Sequence, residues 1–151
     1  MASRTQELWT VVIDRPLEEV FSFVARPGSE ADWSPRTYRA EDISDGPFGV
    51  GTRWTSYGRV PGNDNNRNEV EVVEFDEPKR FVLNCSEGDK LYVHEFAFEP
   101  MGSTTTTVKR TIDFPKPGGL TGAAYPTVMK TIVRPGVQKG MDLLKARLED
   151  A

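Results

Sequence analysis

The stretch YPTVMKTIVRPGVQKGMDLLKARLE, residues 125–149, decides the fold. It is the one long segment with helical periodicity. Val137, Met141, Leu144 and Leu148 recur at steps of four, three and four, which places them on one stripe of a helix. Such a stripe suits a helix lying on an apolar surface. Gln138, Lys139, Asp142, Lys145, Arg147 and Glu149 fill the other side. Tyr125, Val128, Met129 and Ile132 form a second stripe. At about 100° per residue it is rotated by roughly a third of a turn from the first. Pro135-Gly136 lies between them. Proline lacks a backbone donor and clashes with the preceding turn, so a kink or break is expected there. A bent helix with two apolar faces can touch two surfaces. Its second half is expected to seal a β-sheet and its first half to roof a cavity; the alternative is a helix that only completes a core.

Working outward, composition bounds the rest. The 151 residues suit a single domain, 1–151. A chain of this length buries roughly 70% of its unfolded surface, enough for one core. A net charge of −4 argues against general nucleic-acid binding, which needs a basic face. No apolar run approaches the ~20 residues of a membrane span, and residues 1–7 have no apolar signal core. One cysteine, Cys85, excludes an internal disulfide and a cysteine-rich metal site. A cytoplasmic protein is the expectation, as a monomer or as a homodimer through an exposed edge strand.

Residues Leu8 to Ile13 alternate and read as a strand. Pro16, Glu18 and Glu19 suit the first turn of a helix that carries Leu17, Val20, Phe21 and Val24 on one side. Ser29 reads as the N-cap of a short second helix through Trp33, with Asp32 completing a capping box. Six further strands follow: Tyr38 to Ile43, Thr52 to Val60, Glu69 to Phe75, Arg80 to Cys85, Lys90 to Phe98 and Thr104 to Phe114. Tight Gly, Pro and Asp punctuation between them indicates antiparallel hairpins. Gly62 to Asn66 reads as a turn, and Pro115 to Gly119 as a mobile loop before the long helix. Seven such strands make a twisted sheet that must wrap the helix, leaving a gap between the two.

Several pieces, in this order and at these spacings, carry a resemblance. They are Ile13-Asp14-Arg15-Pro16-Leu17-Glu18-Glu19-Val20-Phe21 at the strand-to-helix entry, Trp33-Ser34-Pro35 at the exit of the second helix, and Gly46-Pro47-Phe48-Gly49-Val50-Gly51-Thr52 before the third strand. Val72 to Phe81, Phe96 to Pro100 with Gly102 to Val108, and Leu143 to Glu149 continue it. Together they resemble the START/Bet v 1-like (SRPBCC) superfamily, specifically its bacterial polyketide cyclase/dehydrase and lipid-transport group. The resemblance implies an α+β helix-grip fold: a seven-stranded curved antiparallel sheet around a long C-terminal helix, with two short helices after the first strand. It also implies a range of roles: aromatase/cyclases, lipid and hormone carriers, and co-chaperones.

The candidate chemistry lies on the strands. His94 shares a face with Tyr92, Phe96 and Phe98, so on a cavity wall it would be a donor or proton shuttle; otherwise it is a packed histidine. Arg110 could hold a carboxylate or enolate oxygen of a ligand, or pair with a residue such as Glu74. Trp54 and Ser56 alternate on one strand, and Trp33 and Tyr38 flank the second helix; aromatics with a polar handle are common walls for ring-shaped ligands and equally common core residues. Met129, Val133 and Val137 are the expected helix contribution. Cys85 has no neighbouring activator in sequence and reads as a small buried hydrophobe. Glu69 and Glu71 alternate with Val70 and Val72 and should face solvent. Neither metal-ligand spacing nor a phosphate-cradling loop is present, so no cofactor is expected. The leading expectation is a carrier enclosing a small hydrophobic ligand, lipid or polyketide-like. The alternatives are a cyclase or dehydratase using His94 and Arg110, and a co-chaperone-like interaction module with an acidic outer surface.

Overall fold

The computed structural model describes residues 4–116 and 119–150, apart from the side chains of Leu120 and Thr121. Strand β1 (Arg4–Ile13) is followed by helix α1 (Leu17–Val24) and a 3₁₀ turn (Ser29–Asp32). Then come β2 (Thr37–Glu41), β3 (Arg53–Val60), β4 (Asn63–Asp76), β5 (Arg80–Glu87), β6 (Lys90–Pro100) and β7 (Thr106–Pro115). The chain ends in α2 (Gly119–Val128), a π-helical turn (Met129–Val133) and α3 (Arg134–Glu149). The seven strands form one antiparallel sheet in the order β1-β7-β6-β5-β4-β3-β2. Register shifts at Thr37/Arg39, Gly58/Val60 and Val72/Glu74 mark bulges that bend it. The helix-grip architecture is therefore the observed one.

One end of the concave face is packed solid. Phe21 of α1 meets Phe98 at 5.1 Å, Phe75 at 5.9 Å and Phe81 at 6.1 Å between ring centroids. Met141 and Leu144 of α3 lie there fully buried, with Ile13, Val20, Val72 and Val108. Burying each such side chain contributes about 1.5–3 kcal/mol. The end of α3 is also tied by polar contacts. Arg15 Nη2 donates to the Glu149 carbonyl at 2.6 Å, Lys145 Nζ to the Val12 carbonyl at 2.7 Å, and the Asp14 amide to Glu149 Oε2 at 2.8 Å.

Several expectations need correction. The residues Asn63 to Asn66 are not a turn. Pro61-Gly62 alone makes the reversal, Val60 faces Asn63, and the polar run continues as ladder, with Asn66 buried against the concave side. Ser29 is not an N-cap: its Oγ donates to the Val24 carbonyl at the end of α1, and Asp32 pairs with Arg26 instead of closing a capping box. The long helix begins at Gly119 rather than Tyr125. Its irregularity is not at Pro135-Gly136 but one turn earlier. The Arg134 amide bonds to the Met129 carbonyl, an i→i−5 bond, and Pro135 then sits in the first turn of α3, where its missing donor is tolerated. The wider turn also changes the stripe. Val133, not Ile132, comes back under Met129, and Ile132 is left 39% exposed. Of the loop expected from Pro115 to Gly119, Pro117 and Gly118 lie outside the described residues.

Candidate functional site

The other end of the concave face is hollow. Between the sheet, the π-helical turn and the adjoining parts of α2 and α3 lies a cavity of about 500 Å³, within the range of roughly 300–1,000 Å³ usual for small-molecule sites. Strand alternation builds its wall. Trp54 and Ser56 face in from β3, Asn66, Asn68 and Val70 from β4, and Phe81, Leu83 and Cys85 from β5. Tyr92, His94 and Phe96 follow from β6, and Arg110 and Ile112 from β7. Tyr125, Met129, Val133 and Val137 roof it. The mouth runs past the exposed Arg59, Pro61, Lys90 and Ala124, between the β3–β4 and β5–β6 hairpins and α2.

Nine of the residues singled out in the sequence meet here: Trp54, Ser56, Tyr92, His94, Phe96, Arg110, Met129, Val133 and Val137. Three lie elsewhere. Phe98 belongs to the solid end, under Phe21. Trp33 is wedged behind the wall, edge-on to Phe96 at 6.4 Å and 3.6 Å from where a Cβ would stand at Gly140. Tyr38 occupies the bulge between Thr37 and Arg39, which turns it outward; its hydroxyl bonds Asn65 Oδ1 at 2.6 Å. Glu69 and Glu71 are exposed, as expected, and Cys85 is half-buried on the wall. Burial, together with the nearby Glu30 carboxylate and against the opposing pull of Arg110, pushes the Cys85 thiol far above its ordinary range, so it is no nucleophile.

The polar centre of the wall is a cluster around Arg110, which is 4% exposed. Its Nη2 donates to Glu30 Oε1 at 3.0 Å and to His94 Nδ1 at 3.0 Å. Its Cζ lies 5.0 Å from the Phe96 ring centroid and 5.7 Å from that of Trp33, on faces that favour a cation. The partner expected from sequence, Glu74, instead bonds Arg80 on the outer face. His94 faces the cavity yet is ringed by protein. Burial, and then the Arg110 charge, holds it well below the usual imidazole value, so it is neutral near pH 7. Arginine can only donate, so Nδ1 is the acceptor and the ring proton sits on Nε2. The cluster thus fixes a neutral donor tautomer on the cavity wall.

Two groups escaped the sequence reading. Glu30 stands 80 residues from Arg110 on the 3₁₀ turn, and nothing local to it signals the pairing. Arg36, just before β2, reaches across to the helix: it donates to the Ile132 carbonyl at 2.8 Å and covers Gly136, where any Cβ would strike its guanidinium. On the opposite side Arg134 holds the same helical junction to β1. It donates to Glu7 Oε1 at 2.8 Å and the Leu8 carbonyl at 2.9 Å, while Trp9 Nε1 donates to the Arg134 carbonyl at 3.1 Å. The roof of the cavity is therefore clamped at the π turn from both flanks.

The described residues hold no cluster of acidic, histidine or cysteine side chains able to take a metal ion, and no helix long and apolar enough to cross a membrane. The fold is shared widely. A START superfamily protein from Mycobacterium smegmatis superposes with a TM-score of 0.76 at 17% identity, over 96% of this chain and 97% of that one. The Zhui aromatase/cyclase from Streptomyces sp. R1128 gives 0.80 at 17% identity, over 97% and 94%. Norcoclaurine synthase from Thalictrum flavum gives 0.71 at 16% identity, over 99% and 97%. Such identities establish the fold and not a shared chemistry. No curated protein sequence is significantly similar to the chain. The family model described as polyketide cyclase / dehydrase and lipid transport matches residues 9–149, and with the sheet, the helix and the cavity now described, the chain belongs to that family.

Proposed function

We propose that this protein is a carrier that encloses a small, mainly apolar or aromatic molecule between its sheet and the π-helical roof. The observation that supports it most is the cavity of about 500 Å³, walled by rings and aliphatic side chains, with one buried polar cluster on one wall. Apolar lining supplies affinity, and a few convergent polar groups orient the ligand. The partner is a small molecule rather than a nucleic acid, in keeping with the net charge of −4. The test is saturable binding of a neutral apolar fluorophore such as N-phenyl-1-naphthylamine. Fatty acids or flavonoid-like rings should displace it; a linear, non-saturable signal would remove the carrier reading.

A second reading is supported by the His94 tautomer. A cyclase or dehydratase would need a donor aimed at a carbonyl oxygen, and neutral His94 braced by Arg110 is such a donor. In that case His94→Ala should abolish turnover of a poly-β-ketone surrogate while the circular dichroism spectrum stays native. Equal rates in the two proteins would leave only the carrier.

A further inference from the structure

The wall of the cavity has a charge opposite to that of the molecule. The chain carries a net charge of −4, yet the wall sets five cations against the two carboxylates Glu30 and Glu87. Three of the cations, Arg26, Arg59 and Lys90, are exposed at the rim, and Arg26 is already paired with Asp32. The other two, Arg36 and Arg110, lie further in. Glu30 is the one carboxylate bonded to either of them among the described residues, and it meets Arg110 through a single nitrogen. Both arginines line the same cavity, and burial, then the charge of Arg110, holds Arg36 below its ordinary value. A guanidinium is a permanent cation in a protein. With His94 neutral, Arg36 and Arg110 against Glu30 leave one net positive charge on the inner wall among the described residues.

The hydrogen-bond inventory points the same way. Among the described residues, three buried side-chain atoms have no partner: Arg110 Nε, Trp33 Nε1 and Tyr125 Oη. Arg110 and Tyr125 border the cavity, and Trp33 lies behind the Arg110 guanidinium. All three carry a hydrogen, and the first two can only donate. On the wall itself His94 Nε2–H stands beside Arg110 as a further donor. A buried donor left unpaired is costly, so a guest that brings acceptors is favoured here over one that brings none. A neutral apolar guest would supply too few acceptors and would leave the inner cation unbalanced as well. A carboxylate supplies two oxygens and one negative charge.

Resting on the carrier reading above, we infer that the cavity takes a monoanionic amphiphile, a carboxylate on an apolar or aromatic body, with the carboxylate received between Arg110 and Arg36. The body then lies along Phe81, Leu83 and Met129, and Glu30 limits the pull by holding one side of Arg110.

The test compares a long-chain or aryl carboxylic acid with its own methyl ester, as competitors of bound N-phenyl-1-naphthylamine at pH 8. The acid should displace the probe about ten- to a hundredfold more strongly, the range for one charge-assisted hydrogen bond. Arg36→Gln, at a half-buried position, should bring the acid-to-ester ratio most of the way to one, the ratio being read within the same variant so that any change in the roof affects both ligands alike. Glu30→Gln should enlarge that ratio, a gain that damage to the fold could not imitate. Equal displacement by acid and ester overturns the inference while the carrier reading survives. So does an acid advantage that neither substitution alters. Failure of the probe itself to bind saturably overturns the carrier reading and the inference together.

Discussion

The two halves of the C-terminal helix differ in what they cover. In α3, Val137, Met141, Leu144 and Leu148 fall on one regular stripe, and all four are buried. Among the described side chains of α2 and the π-helical turn only Met129 is buried; Val128 and Ile132 are each 39% exposed, and Tyr125 and Val133 face the hollow. The regular half closes the core and the irregular half stands off from it. A strict 3.6-residue period produces one continuous seam. The wider turn at Met129–Val133 breaks the phase, which lets one rod be wall at one end and roof at the other.

The sharpest way to break this contrast is a pair of truncations. Leu144→Ala should cost about 3 kcal/mol of stability, the usual penalty for a fully buried leucine in a close-packed site. Met129→Ala, which trims a cavity wall, should cost less than about 1 kcal/mol yet change the affinity of an apolar probe several-fold. Urea melts of both proteins beside probe titrations decide it; equal losses of stability would mean that the two halves pack alike.

A second difference concerns protons. The hollow end holds His94, kept neutral by its surroundings, whereas the solid end buries no such group. The unfolded chain gains a proton on this histidine near pH 6.5, while the folded chain resists it to a lower pH. Stability contributed in this way is complete above about pH 6.5 and is lost as the pH falls from there toward the folded value. His94→Asn should flatten the slope between about pH 6.5 and 5, above the range where carboxylates take over. An unchanged slope would contradict the desolvated setting assigned to His94.

The smallest expected effect probes the junction. Glycine to alanine within a helix ordinarily stabilises by about 1 kcal/mol. Gly136→Ala should show no such gain, because the new methyl displaces the Arg36 guanidinium and its bond to the Ile132 carbonyl. In an Arg36→Ala background the same substitution should recover the ordinary gain, and a thermal-melt double-mutant cycle measures the difference.

What the sequence made legible follows from range. A strand declares its faces by alternation. The inward positions of Trp54 and Ser56, and of Tyr92, His94 and Phe96, could therefore be read without knowing their neighbours. The stripe Val137–Leu148 is equally local. The Asn63–Asn66 run was misread because polar residues usually mark turns, whereas here the two residues Pro61-Gly62 suffice and the asparagines must pair. The salt bridge from Glu30 to Arg110 and the reach of Arg36 to Ile132 join positions 80 and 96 residues apart, so only the closed sheet brings them together. Proline was a correct sign of trouble in the helix. The accommodation falls on the turn before it, because that is where the hydrogen-bond ladder must be re-phased.

The contact between Arg36 and Gly136 also constrains how such a chain can drift over generations. A bulkier residue at 136 enters only by pushing the guanidinium aside, so the two positions do not change independently. A lineage that enlarges 136 while keeping arginine at 36 gives up the bond to the Ile132 carbonyl, and with it the fixed position of one of its two inner cations.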